Sequence, residues 1–199
     1  MAGALYSIGY ATKPVDTFIK QLANYRIGAI ADVRSVPYSK RFHQYHRETL
    51  KGILKSHGIH YVYLGDELGP RSKDDNHYNE CGQVQFDRLM NSDLFHQGIE
   101  RLQNGLAKDM NIALLCAEKD PAQCHRSLLV GYYLRRKLNM ELAHIHHDGE
   151  LESQQKLEQR LAVFLGTTGD LFSTPEQQLE LAWEKQCALT SYIKPESED

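Results

Sequence analysis

The sequence predicts an α/β fold in which a mostly parallel sheet of about five strands carries helices on both faces. Short apolar runs rich in β-branched residues alternate with longer amphipathic stretches, and turn-forming residues separate the two. The composition agrees with this prediction. Of 199 residues, 41% are hydrophobic and 25% are charged, which is typical of a folded globular chain.

Five apolar runs have the length expected of strands rather than helices. The first ends at a glycine, and the second is apolar on both faces, as a central parallel strand must be. The predicted strands are residues 5–9, 29–33, 60–64, 112–116 and 142–146.

Apolar residues at helical spacing predict the elements between these strands. Pro14 opens the first helix, because proline suits the first helical position and Val15, Phe18 and Leu22 recur on one face. Residues 65–82 show no period and are predicted as a loop. The other predicted helices are residues 49–56, 84–107 with a break near residue 91, 124–138, 154–165 and 175–189.

The predicted helices and strands divide the chain into one α/β domain and an extension. Residues 1–165 form the predicted domain, and residues 166–199 form a linker and a C-terminal helical extension packed on it. Trp183 is expected to anchor that extension through its apolar face, with a dimer contact as the alternative. The sequence leaves the oligomeric state open.

Charge and cysteine content exclude several classes of protein. With 23 basic and 26 acidic side chains, the net charge of −3 excludes a strongly basic nucleic-acid-binding protein, though not a local basic patch. No apolar run approaches the roughly 20 residues that span a bilayer, and no signal-peptide pattern is visible. The 4 cysteines are irregularly spaced, which predicts reduced thiols and a cytoplasmic protein.

Residues 112–129, IALLCAEKDPAQCHRSLL, carry most of the candidate chemistry. Ligands of parallel sheets bind beyond the carboxyl ends of the strands. The predicted strand of residues 112–116 ends at Cys116, so the residues that follow it lie in that region. A helix is predicted to begin near Cys124, so its first turn carries Cys124, His125 and Arg126, and free N–H groups there attract anions and lower thiol pKa values. The catalytic candidates are Glu118, Cys124 and Cys116, and the ligand-binding candidates are His125 and Arg126.

A metal site is an alternative use of the same residues. Cys116, Cys124 and His125 offer soft ligands, but their Cys-x7-Cys-His spacing matches neither a zinc knuckle nor a helical histidine pair. The sequence therefore assigns no metal ligand and no cofactor. A zinc site or a switchable disulfide stays open as a third function.

Residues 31–45, ADVRSVPYSKRFHQY, form a second polar segment after the second strand. Asp32 lies in an otherwise apolar strand, so it must be paired, and Arg34 on the same strand face is the expected partner. A catalytic role for Asp32 and a ligand-binding role for Arg34 stay open. Thr12, after the first strand, is a further ligand-binding candidate because small and hydroxyl residues suit close approach.

The loop of residues 38–47 supports an alternative function as a nucleic-acid-binding module. Basic residues such as Lys40 and Arg41 alternate there with Tyr38, Phe42 and Tyr45, a pattern that could hold a phosphate backbone and stack bases. An ordinary solvated loop explains the same residues.

The motifs SIGYAT, DVRSVPYS, YLGDELG and LLCAEKDPAQCHR together resemble the family known as domain of unknown function 488. The resemblance runs from about Tyr6 to about His147, and its C-x-E-x5-C-H-R motif is the most specific part. Tyr10 departs from the pattern, since members more often have His-Ser after the preceding glycine. The resemblance implies no established activity. It marks Asp32, Arg34, Pro37, Cys116, Glu118, Cys124, His125 and Arg126 as recurring positions.

The sequence favours an enzyme, a hydrolase or transferase, that binds a phosphorylated or nucleotide-like ligand at the carboxyl edge of the sheet. Arg126 would hold the anion, Glu118 or Asp32 would act as general acid or base, and a cysteine would be the nucleophile or a pocket wall. A looser similarity to small α/β proteins that cleave nucleoside N-glycosidic bonds is analogy only. The expected partner is a small anionic ligand, with nucleic acid as the alternative and no membrane.

Overall fold

The computed structural model describes residues 3–39, 41–169 and 172–195, and a six-stranded sheet runs through them. The strand order is β3-β2-β4-β1-β5-β6, in which the first five strands are parallel and β6 is antiparallel to β5. The strands are β1 (Leu5–Gly9), β2 (Ala29–Asp32), β3 (His60–Tyr63), β4 (Ile112–Cys116), β5 (Ala143–Ile145) and β6 (Leu151–Ser153).

Helices of the described residues cover the sheet and its edges. One segment, Arg126–Gly131, is a π-helix that leads directly into α6, and short 3₁₀ turns lie at His43–Tyr45, Asp75–His77 and Pro121–Gln123. The α-helices are α1 (Val15–Asn24), α2 (Arg47–Ser56), α3 (Gly65–Leu68), α4 (Phe86–Met90), α5 (Asp93–Leu106), α6 (Tyr132–Leu138), α7 (Gln154–Phe164) and α8 (Pro175–Thr190).

The core lies on both faces of the sheet, because successive side chains of a strand point to opposite faces. Leu115 of β4 packs with Phe18 of α1 in one apolar cluster, which also contains residues of α2. Leu114, the preceding residue, belongs to a second cluster with Phe95 of α5. Both leucines are fully buried, which explains why β4 is apolar at every position.

The predicted fold class is confirmed, and three local details differ from the prediction. β6 was not predicted, because its three residues follow a tight turn at Gly149, where φ is +97°. Residues 65–82, predicted as a loop, begin with the short helix α3. Cys124 has extended backbone (φ −133°, ψ 140°), so the predicted helix over residues 124–138 begins only at Arg126.

The C-terminal helix α8 contacts the rest of the chain through fixed polar contacts as well as apolar ones. The indole Nε1 of Trp183 donates to the carbonyl of Leu128 at 2.7 Å, and its ring stacks on Tyr132 with centroids 4.1 Å apart. Gln186 donates from Nε2 to the carbonyl of Ala122 at 2.7 Å. The division into a domain and an extension stays a prediction.

Across the described ranges, no helix is both long and apolar enough to cross a membrane.

Candidate functional site

The candidate site lies where the carboxyl ends of β1, β2 and β4 meet. β4 pairs with β1 on one side and with β2 on the other, so Gly9, Asp32 and Cys116 end neighbouring strands. The chain then turns and returns Cys124 and His125 to the end of β4. The structure thus brings together the predicted Cys116, Glu118, Cys124 and His125 in one cluster.

The potential ligand atoms of these four residues all lie within 4.8 Å of one another. Oε2 of Glu118 is 2.6 Å from Sγ of Cys116 and 3.0 Å from Sγ of Cys124. Nδ1 of His125 is 3.6 Å from the first sulfur and 3.9 Å from the second. Donor atoms of a tetrahedral zinc site with Zn–S near 2.3 Å and Zn–N near 2.0 Å are about 3.5 Å apart, so this spacing suits one metal ion.

Local structure between β4 and the π-helix gives the cluster its shape. The side chain of Asp120 accepts a hydrogen bond from the backbone N–H of Ala122 at 2.9 Å and so caps the 3₁₀ turn Pro121–Gln123. The extended backbone of Cys124 follows directly, which turns its thiol back toward Cys116. This arrangement explains how two cysteines eight positions apart in the sequence become neighbours.

The ring of His125 is oriented by the strand next to β4. Its Nε2 donates to the carbonyl of Val33 at 2.9 Å, because a carbonyl can only accept. That bond sets Nε2 as the protonated nitrogen and leaves Nδ1 facing the two sulfurs. Metal-binding histidines are commonly oriented in this way by a backbone carbonyl.

Burial and neighbouring charges shift the pKa values of the cluster in opposite directions. Burial, together with its neighbour Cys124, raises the pKa of Cys116 well above its usual range. For Cys124 burial acts upward too, but a hydrogen bond with Cys116 and the charges of Arg126 and His125 lower the pKa well below its usual range. Burial raises the pKa of Glu118, and the Cys124 thiolate adds to this rise.

Arg126 is fully buried and holds the loop that carries Glu118. Its guanidinium donates to the backbone carbonyl of Glu118 at 2.8 Å and to the hydroxyl of Ser7 at 3.2 Å. The carbonyl of Glu118 also lies close to Gly9, where only a glycine fits, because a Cβ at residue 9 would lie 1.9 Å from the carbonyl oxygen. These internal contacts use N–H groups of Arg126 that the predicted binding of a ligand would need.

Asp32 and Arg34 form the predicted buried ion pair. Nε of Arg34 donates to Oδ1 of Asp32 at 2.8 Å, and NH2 donates to Oδ2 at 2.6 Å. Tyr61 donates to Oδ2 of Asp32 as well, and Arg34 donates to the carbonyl of Tyr45, both within hydrogen-bond distance. This pairing compensates the cost of burying an acid in an apolar strand.

A cavity of about 260 Å³ opens beside the cluster. Cys116, Glu118 and His125 line it on one side, and Glu118 is more exposed than the other members of the cluster. Thr12, which is exposed and has φ of +58°, is not among its lining residues. The rest of its wall consists of Tyr10, Arg34, Ser35, Val36, Tyr38, Pro70, Arg71 and Ala117.

The basic and aromatic loop of residues 38–47 places one of its aromatic side chains in the core and leaves another exposed. Tyr45 is fully buried, donates to the carbonyl of Lys13 at 2.9 Å and stacks on Tyr10. Tyr38 is exposed and stacks on His46 with centroids 4.3 Å apart. Lys40 lies outside the described residues. Nucleic-acid binding by this loop stays a prediction.

The sequence did not predict the buried row of hydrogen-bonded polar side chains that lies beside the site. Ser7 of β1 and His144 of β5 are fully buried neighbours, and the Ser7 hydroxyl lies 2.6 Å from Nδ1 of His144. On its other side the histidine lies 2.8 Å from Oε1 of Gln154. The available signal was the one used for Asp32, a polar residue inside an apolar strand.

The chain matches the model of a protein family over the part that contains the site. The family model described as Domain of unknown function DUF488 matches residues 14–133, which is more than half of the 199-residue chain. That range includes the whole Cys116, Glu118, Cys124 and His125 cluster. No curated protein and no solved structure matches the chain.

Proposed function

The chain belongs to the family described as Domain of unknown function DUF488, a description without an activity, and we propose from its site that it is a metal-dependent protein. Its cluster of Cys116, Glu118, Cys124 and His125 would hold one zinc-type ion. A small phosphorylated or nucleotide-like ligand would bind in the adjoining cavity. An enzyme of the hydrolase or transferase class fits this arrangement.

The convergence of four ligand atoms within 4.8 Å carries the proposal. Two thiols and an imidazole supply the sulfur and nitrogen donors that zinc prefers, and a carboxylate oxygen is a further zinc ligand. Burying such groups together is costly when they carry negative charge, and a divalent cation compensates that cost. The hydrogen bond from His125 to Val33 supplies the outer contact expected of a histidine ligand.

The members of the cluster differ in how they face the cavity. Cys124 is buried and lines no part of the cavity, whereas Glu118 lines it and is the more exposed. We therefore assign Cys116, Cys124 and His125 as the lasting metal ligands. Glu118 would be the exchangeable ligand, because an incoming anion can take its place and leave the carboxylate free to accept a proton.

The cavity wall supports a small anionic ligand. Arg71 is exposed at the wall, and its guanidinium lies over the Tyr192 ring at 4.6 Å, a contact that uses none of its N–H groups and so leaves them for an anion. Tyr10 and Tyr38 add aromatic surface. A volume of about 260 Å³ suits a molecule smaller than a typical drug-sized ligand. The bound metal would polarise an oxygen of such a ligand.

Cobalt titration of the reduced, chelator-treated protein tests the metal site. We expect one Co²⁺ per chain, with thiolate-to-cobalt absorption and the visible bands of tetrahedral coordination, and displacement of cobalt by Zn²⁺. Cys124→Ser should lose these signals. The matched control Cys81→Ser, which removes an exposed cysteine, should keep them. Equal spectra for the two variants, or no spectrum for the wild type, would refute the proposed site.

Inorganic phosphate and a nucleoside monophosphate then test the cavity on the cobalt-loaded protein. Either anion should shift the visible bands of the wild type, and Arg71→Gln should weaken that response about tenfold, since a charge-assisted hydrogen bond is lost. Visible bands that no phosphorylated compound alters would remove the ligand class while leaving the metal site intact.

A further inference from the structure

A continuous row of hydrogen bonds links Arg126, which holds the Glu118 loop, with the carboxylate of Glu158 on α7. Five side chains from four separate segments of the chain form this row, and each has at most 5% of its surface exposed. The proposed function uses none of the three residues in the middle of the row. They are Ser7 of β1, His144 of β5 and Gln154 of α7.

The hydrogen bonds of this row all run in one direction, which the carboxylate of Glu158 fixes. Because a carboxylate only accepts, Nε2 of Gln154 donates to Oε1 of Glu158 at 3.1 Å, and the amide oxygen of Gln154 faces the other way. That oxygen accepts from Nε2 of His144 at 2.8 Å, so Nδ1 of the neutral ring accepts from the Ser7 hydroxyl at 2.6 Å. The hydroxyl in turn accepts from Nε of Arg126 at 3.2 Å.

Glu158 is a fixed anchor at the outer end of the row. Arg135 of α6 donates to its Oε2 at 2.8 Å, and the neighbouring Arg136 donates to the same oxygen at 3.3 Å. Both ion pairs are largely buried, with about a fifth of each arginine side chain exposed. The acceptor on which the row ends is therefore held in place by α6 as well as by α7.

At the inner end, the row determines where the guanidinium of Arg126 lies. Its Nε donates to Ser7, and a terminal N–H donates to the backbone carbonyl of Glu118 at 2.8 Å. Since a guanidinium is planar, a hydrogen bond at Nε restricts the directions in which its other N–H groups point. Hydrogen bonds in such a chain also polarise and strengthen one another. The position of the Glu118 loop thus depends on side chains as distant as Gln154.

The π-helix Arg126–Gly131 contacts the row at two points. Arg126 is its first residue, and Gly131, its last, packs against the amide of Gln154. A Cβ at residue 131 would lie 2.3 Å from Oε1 of Gln154. Short stretches of π-helix are rare and occur frequently at functional sites. Substitution of Gly131 therefore displaces the row without removing any of its hydrogen-bonding groups.

We propose that Ser7, His144 and Gln154 are positioning residues of the metal site, a role that rests on the proposed function. They hold Arg126 so that it keeps the carboxylate of Glu118 at the metal ion, in the place that an incoming anion would take. A loosened Glu118 loop competes less well with that anion. Breaking the row should therefore tighten anion binding, whereas general damage to the fold would weaken it.

Titration of inorganic phosphate into the cobalt-loaded full chain, followed by the visible bands of cobalt, tests this role. Ser7→Ala should lower the apparent Kd for phosphate at least about threefold, because one hydrogen bond that holds the competing ligand is lost. Gly131→Ala should act in the same direction. The matched control Thr167→Val removes a different buried hydroxyl, which donates to a backbone carbonyl outside the row, and should leave the Kd unchanged.

A double-mutant cycle shows whether Ser7 acts through Glu118. In the Glu118→Ala background no carboxylate competes with phosphate, so Ser7→Ala should change the Kd less than about 1.5-fold there. A merely structural role of Ser7 predicts equal changes in both backgrounds, or weaker phosphate binding. Either result, or an unchanged Kd in Ser7→Ala alone, would overturn the positioning role and leave the metal site intact.

The NMR signal of the Nε–H group of Arg126 tests the row in chelator-treated protein, where no metal takes part. This buried N–H donates to Ser7, so its proton should exchange slowly with water. Gln154→Ala removes a side chain that Arg126 reaches only through the row, and it should speed that exchange at least about tenfold. Thr167→Val should not. A signal that Gln154→Ala leaves unchanged would overturn the proposal even in a protein that binds cobalt, whereas a wild type that binds no cobalt would refute the metal site itself.

Discussion

Replacing His144 with glutamine is expected to remove a defined part of the pH dependence of the free energy of unfolding. The histidine is fully buried, with its ring between the Ser7 hydroxyl and the side chain of Gln154. Because the amide oxygen of Gln154 can only accept, Nε2 donates to it and Nδ1 accepts from Ser7. Burial lowers the pKa of His144 to about 3, and the positive charge of Arg126 lowers it as well.

The size of the effect follows from the two pKa values. An unfolded histidine has a pKa of about 6.5, so between pH 6.5 and 3 the unfolded chain binds a proton that the native protein does not. The native state therefore has the full benefit of neutral His144 above about pH 6.5 and loses it as the pH falls. Between pH 7.5 and 5.5 this loss amounts to about 1.4 kcal/mol, because one pH unit of the interval lies below the unfolded pKa.

Urea unfolding at pH 7.5 and 5.5 measures the effect in chelator-treated protein, where metal release makes no contribution. Wild type should lose about 1.4 kcal/mol more stability over this interval than His144→Gln. His60→Gln, which removes an exposed histidine at the start of β3, should behave as the wild type does. Equal losses for wild type and His144→Gln, or an NMR titration of the His144 ring near pH 6.5, would refute the reasoning.

Two substitutions test other contacts of the site by unfolding and by metal binding. Gly9→Ala would place a Cβ 1.9 Å from the carbonyl oxygen of Glu118, so it should displace that loop and weaken cobalt binding at least about tenfold. Gly52→Ala meets no atom within 4 Å in the middle of α2, and it should leave cobalt binding unchanged while stabilising the protein by about 0.5–1 kcal/mol. Unchanged cobalt affinity in Gly9→Ala would contradict the close approach. Asp32→Asn leaves the Arg34 charge buried without its ion pair, and we expect urea unfolding to show a loss of about 3–5 kcal/mol. A loss below about 1 kcal/mol would show that the pair contributes little.

Local patterns in the sequence were sufficient for the fold class and for part of the site. Residues 112–116 are apolar at every position, which predicted a strand, and β4 lies in the middle of the sheet. The spacing of Asp32 and Arg34 predicted their ion pair, because residues two apart share a strand face. The short motifs Cys-x-Glu at Cys116 and Cys-His at Cys124 also predicted a functional site at the end of one strand.

The convergence of the site depended on contacts that no local pattern encodes. His125 is oriented by the carbonyl of Val33, which is 92 positions away in the sequence and near only because β2 pairs with β4. The return of Cys124 to Cys116 depends on the capped 3₁₀ turn Pro121–Gln123 and on the extended backbone of Cys124. The sequence had predicted the start of a helix there instead.

The buried contact of His144 was not predicted, because its partner Ser7 is 137 positions away and near only through the pairing of β1 with β5. Strand order was likewise open, since periodicity reports which face a residue occupies but not which strand lies beside it. The sequence by itself thus determined most of the helices and strands, their apolar faces and the residue types at their ends. Tertiary structure decided which of those ends meet, because pairing between distant strands depends on the packing of the whole chain.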